Sequence, residues 1–212
     1  RSAYQDELDG VSQSLLDLTN MVTASMVKAS KAVQSADLTL AEEVIASDVK
    51  IDDFQHELDA RIIDIIARQQ PVATDLRALV TAMRMSADLE RMGDLAHHIA
   101  KVARLRHPDC AIPDFLILPF TEMGHVAEKL SIMVAAVITT RDTEMALQVE
   151  KDDDEMDDLH KKVIATIIKD ETGLSLESAI DLTLLGRYYE RYADHAVSVA
   201  RRVYFLVTGT FA

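Results

Sequence analysis

The chain has 212 residues, about half of them apolar, and a formal net charge of −14. Four Pro, six Gly and no Trp, beside abundant Ala, Leu, Met, Glu and Lys, argue against a β-rich fold. So acidic a chain offers no basic face to nucleic acid or to a bare anionic membrane, and it suits cations or a basic protein surface.

Helical periodicity runs the length of the sequence. The first predicted helix covers about Tyr4 to Gln34, with Leu8, Val11, Leu15, Leu18, Val22 and Met26 on its apolar face. Asp37 starts a turn, and a second helix runs from about Leu38 to Arg68. Pro71 suits the first turn of a third helix, where its missing N–H costs little. That helix reaches about Arg106. "HPDCAIP" at His107–Pro113 is the only Pro-rich connector. The fourth helix has Pro119 near its start and ends near Thr140, and the fifth spans about Thr143 to Lys169. Gly173 and Ser175 mark a turn, and the sixth helix covers about Leu176 to Val207. The expected fold is all-α: two tandem, pseudo-symmetric three-helix bundles, residues 1–107 and 108–212.

An internal repeat supports the division. "ERMGDLAHHIA" at Glu90–Ala100 lies over "ERYADHAVSVA" at Glu190–Ala200. On the preceding helices Asp48, Asp52 and Asp53 fall on Asp153, Asp157 and Asp158, in a register five residues different. A short deletion near "RQQPVATDLR" reconciles the two registers.

The repeat carries carboxylates four positions apart: Asp48 with Asp52, Glu90 with Asp94, Asp153 with Asp157, and Glu190 with Asp194. Residues so spaced share one helical face, and like charges there destabilise the helix. A short turn makes the second and third helices antiparallel neighbours, so each half can gather four carboxylates. A cation would remove the repulsion, and an all-oxygen set favours magnesium, calcium, manganese or oxidised iron. A single such pair is ordinary solvated surface; recurrence in both halves points to metal. Arg91 and Arg191, beside the glutamates, read as structural ion-pair partners. His56, His98 and His160 stand near these acids but do not align between halves, which marks them as incidental. Tyr188, Tyr189 and Tyr192 read as packing residues.

No Gly-rich phosphate loop, G-x-S-x-G or H-E-x-x-H occurs. A di-iron carboxylate enzyme needs Glu-x-x-His pairs on two helices, and the chain has only one, Glu122 with His125. The single cysteine, Cys110, forms no internal disulfide and fits a reduced, cytoplasmic setting. No secretory signal is visible at the start, and the longest apolar run, Leu130–Ile138, is too short to span a bilayer.

"RQQPVATDLRAL" at Arg68–Leu79, "DLERMGDLAHHIAK" at Asp88–Lys101, "ERYADHA" at Glu190–Ala196 and the opening "YQDELD" at Tyr4–Asp9 together resemble the PhoU family, the phosphate-specific transport accessory proteins of bacteria. The ending "HAVSVARRVYFLVTG" resembles actinobacterial members. The resemblance implies a non-enzymatic negative regulator of phosphate uptake and of the phosphate-starvation response. It implies two partners, the ATPase of the phosphate ABC transporter and the phosphate sensor histidine kinase, and a homodimer. It also implies a cytoplasmic protein peripherally associated with its membrane partners. Some members bind metal clusters through these motifs. The implied ligands are Asp48, Asp52, Glu90 and Asp94, then Asp153, Asp157, Glu190 and Asp194, for iron, manganese, magnesium, zinc or calcium. Asp48 and Asp153 stand where many members have Glu, which leaves ion number and identity open. A metal-buffering helical protein, and behind it a di-iron enzyme, are the alternatives.

Overall fold

A computed structural model describes residues 2–169 and 172–210. Among them are six α-helices and no strand: α1 Ser2–Ser35, α2 Leu38–Gln69, α3 Ala73–Arg106, α4 Asp114–Thr140, α5 Thr143–Ile167 and α6 Leu176–Thr208. The starts of α2, α5 and α6 follow from side-chain caps that satisfy otherwise orphaned N–H groups. The Asp37 carboxylate accepts from the Leu40 N–H at 3.0 Å. Asp142 accepts from Glu144 and Met145 at 2.9 and 3.0 Å, and Ser175 accepts from Ser178 at 3.1 Å. Pro71 departs from its expected place: it lies in the connection, and α3 begins at Ala73. The chain reverses there through left-handed Gln70 (φ 47°) and extended Val72. The fifth helix also stops short of Lys169, at Ile167.

Within each half the three helices pack on one another, and the halves meet through α1 against α4 and α3 against α6. Thus α1, α3, α4 and α6 form the centre, while α2 and α5 lie outside it. The central pair α3/α6 is antiparallel. Near the start of α3 the Arg77 guanidinium sits 5.5 Å from the Phe205 ring near the end of α6. At the other end Arg106 pairs with Asp181 and, at 2.8 Å, with Glu177.

One apolar cluster fills both halves. Tyr189 and Tyr192 are fully buried in it, as packing residues. The Tyr189 hydroxyl donates to Ser30 Oγ at 2.9 Å, across the boundary between halves. Tyr192 shares a 2.6 Å hydrogen bond with Ser131. Helices α1 and α4 approach closely because position 124 is Gly: a Cβ there would meet Ser30 Cβ at 3.2 Å.

A polar knot closes the α3/α6 contact. Asp88 accepts from His195 at 3.0 Å, Ser198 at 3.0 Å and Arg202 at 2.8 Å. At the pseudo-symmetric place, one hundred positions along, Tyr188 stacks on His98 with ring centres 5.3 Å apart. The duplicated halves therefore meet through the same positions with different chemistry.

Candidate functional site

Each half brings its four repeated acids to the seam between an outer and a central helix. In the first half Asp48 and Asp52 project from α2, and Glu90 and Asp94 from α3. Burial pushes the Asp52 carboxyl above its ordinary range, and the charges of Asp48 and Asp94 push it further. Glu90 is raised by burial and then by Asp94, Asp52 and Asp48, with Arg91 opposing. The four carboxylates thus share one field.

The second half repeats this between α5 and α6. Asp153 is pushed up to about 7, by burial first and then by Asp157, Asp194, Asp154 and Glu190. Desolvation and like charge act in the same direction here, so Asp153 holds a proton well above the usual carboxylate range. Asp194 is exposed, whereas Asp153, Asp157 and Glu190 are half-buried.

The side chains gather as charges rather than as a finished coordination shell. Among the described residues no group of three or more His, Cys, Asp or Glu side chains is arranged to hold a metal ion. The rotamers give the reason. Asp94 turns to Arg91 on its own helix, Glu190 turns to Arg187, and Asp48 turns to His97. Arg91 therefore has the expected ion-pair role. Arg191 does not: among the described residues it forms no ion pair, and its Nε is buried without a partner. Arg187 is the cation of the second half instead.

Unpartnered atoms distinguish the halves. Asp48 Oδ1 and Asp52 Oδ1 are buried and accept no hydrogen bond. A buried carboxylate oxygen without a donor is costly, and a cation is one species that removes that cost. The first face thus fits a metal by its donor chemistry. Among the described residues of the second half the buried side-chain atoms without partners are nitrogens, Arg191 Nε and His195 Nε2.

His97 is the residue that repeat reasoning passed over. Its Nδ1 meets Asp48 Oδ2, and its Nε2 is buried and unpartnered. The only sequence signal was its place three residues after Asp94. The repeat puts Val197 opposite it, so alignment of the halves hid it.

Fold and site together define a class: a six-helix, two-repeat protein with an acidic seam in each half. A family model described as the PhoU domain matches residues 15–103 and again residues 120–203. The chain belongs to the PhoU family. It is similar to "Phosphate-specific transport system accessory protein PhoU homolog 2" of Mycobacterium tuberculosis, at 43% identity over 211 residues covering 100% of this chain and 99% of the relative. It is 42% identical over 211 residues to the "PhoU homolog 1" accessory protein of Mycobacterium leprae, covering 100% and 95%. Among solved structures, PhoU from Pseudomonas aeruginosa superposes with a TM-score of 0.89 at 27% identity, covering 98% of this chain and 100% of that one. The phosphate transport system regulatory protein PhoU from Streptococcus pneumoniae has the same fold, with a TM-score of 0.90 at 24% identity over 99% of both chains.

Proposed function

We propose that this protein is a negative regulator of phosphate uptake and of the phosphate-starvation response. The observation that carries the reading is the PhoU match in both halves, together with curated relatives named as phosphate transport accessory proteins along the whole chain. It works as an adaptor without chemistry of its own, between the ATPase of the phosphate transporter and the phosphate sensor kinase. It acts as a cytoplasmic homodimer at the membrane surface. Its net charge of −14 suits docking onto basic patches of those partners. Among the described residues no helix is long and apolar enough to cross a membrane.

Metal belongs to the same reading. Asp48, Asp52, Glu90 and Asp94 would hold it in the first half, and Asp153, Asp157, Glu190 and Asp194 in the second. A bound ion would neutralise the clustered charge and pin each outer helix to its central neighbour. The supporting observations are the shared field of the acids and the two buried acceptors without donors.

The test is a phosphate-regulated reporter in phosphate-rich medium, in the source bacterium with this gene deleted. The reporter is expected to switch on and to fall silent again when the intact gene is restored. A reporter that stays silent after deletion rejects the regulator. A variant with the six aspartates changed to Asn and both glutamates to Gln is expected to fail in complementation and to lose bound metal. Full complementation by that variant would make the acidic faces ordinary surface.

A further inference from the structure

We propose that the cavity where α1 and α3 begin is a docking socket for an extended segment of a partner protein, which inserts one branched apolar side chain there. The proposal rests on the adaptor reading for the existence of a partner, and it does not involve the acidic faces.

The repeat shows what such a place holds. Ala36 and Arg141 are equivalent residues: both are left-handed, at φ 52° and 56°, and each precedes the Asp that caps the next helix. On that register Val33, Gln34 and Ala36 at the end of α1 match Ile138, Thr139 and Arg141 at the end of α4. The connector before α4 closes over the end of α1. Cys110 Sγ donates to the carbonyls of Val33 and Gln34 at 3.4 Å, and His107 Nδ1 lies 3.2 Å from the Ala36 carbonyl. The same connector buries Ile112, 1% exposed, in the common core.

At the end of α4 nothing among the described residues plays that part. Here α1 continues as helix back to Ser2, and a cavity of about 240 Å³ lies beside it, lined by Ile138 and Arg141. A second hollow of about 230 Å³ shares those two residues and adds Thr139. Among the described residues no hydrogen bond reaches the carbonyls of Ile138 or Arg141. The floor is apolar, for Leu15, Leu79, Met85 and Val203 are buried. Close-packed interiors leave few voids larger than a water molecule, so an apolar hollow of this size suits an incoming side chain. The lining fixes the chemistry of the rest of the segment. Asp9 and Asp75 outnumber Arg141, which favours a basic residue beside the apolar anchor. One end of the molecule is thus closed by its own connector, and the equivalent end is left for a segment from outside.

The test uses the intact chain with its methyl groups labelled for NMR. The probe is a capped peptide copying residues 106–113, with Asp109→Lys to meet the acidic lining and Cys110→Ser. It is expected to shift the methyl resonances of Leu79, Met85, Ile138 and Val203. The same peptide with Ile112→Asp is expected to bind about 10- to 100-fold more weakly, the range set by burying one such side chain. Ala82→Leu, which fills the floor, is expected to weaken binding as well. Asp75→Lys, which reverses one charge of the lining outside the core, is expected to do the same and keeps the test open should Ala82→Leu fail to fold. Equal binding of the two peptides overturns the socket, as does no binding at millimolar peptide. Shifts confined to the Val33 end, where the probe would only displace the connector, overturn it too. Benzene that moves these methyls when the peptide does not makes the cavity a small-molecule site and rejects the docking segment. Each of these failures leaves the adaptor reading to the gene-deletion reporter, which tests it separately.

Discussion

Two aspartates respond to pH in opposite directions, for reasons visible around each. Asp153 is raised to about 7 by burial and neighbouring acids. Between the unfolded value of 3.8 and 7 the folded chain keeps a proton that the unfolded chain has released, so stability falls as pH rises through that window. A shift of that size is worth about 4 kcal/mol in full, and solvent screening at a half-buried site cuts it to about 1–2 kcal/mol. Asp153→Asn should therefore raise the urea midpoint of the metal-free protein at pH 8 and flatten its fall between pH 5 and 8. Asp88 is the reverse case. Burial pushes it up, but bonds from His195, Arg202 and Ser198 outweigh that and hold it below its ordinary value. Its contribution is present above the unfolded value and is lost as pH falls through the folded one. Asp88→Ala should cost about 2–3 kcal/mol at pH 7, read by denaturant titration, because three donors lose their acceptor. Neither environment was legible in the sequence. The partners of Asp88 lie more than one hundred positions away, and His97 meets Asp48 only because α2 and α3 are rotated as they are.

At the scale of the element the sequence was far more legible. Apolar spacing and the caps at Asp37, Asp142 and Ser175 are local signals, and they place α2, α5 and α6 at the starts observed. Pro71 was misplaced because local chemistry allows it either inside a first helical turn or just before one. The deciding factor is how α3 seats on α1 and α2. The α4–α5 connection shows how cap and turn residues divide the work. Asp142 caps α5 twice, whereas Arg141 occupies a left-handed conformation (φ 56°) that suits Gly better. Asp142→Ala should cost about 1 kcal/mol, and Arg141→Gly should gain about 0.5–1 kcal/mol. Thermal midpoints of the two variants would move in opposite directions.

On the scale of the whole molecule, the two repeats are one folding unit. The apolar cluster is continuous, and Tyr189 of α6 reaches Ser30 of α1. Repeat reasoning found the duplication but not this shared interior, since similarity between halves says nothing of contacts between them. Helix content and tyrosine fluorescence should therefore lose structure in one coincident transition. Tyr189→Ala should destabilise that transition as a whole by about 3–5 kcal/mol. Two separated transitions, one per half, would contradict a common core.

The placement of α2 and α5 outside the central four helices has a consequence for how the molecule opens. Each outer helix is held by its own half alone, and its inner edge carries the crowded acids. Backbone amides of α2 and α5 should trade hydrogen for deuterium well before those of α3 and α6. Such exchange would report rare forms in which an outer helix has lifted from an intact centre. An ion held in a seam, as proposed above, would lower how often that lifting happens, and each seam would then work as a latch on a door that the rest of the fold leaves on its hinge.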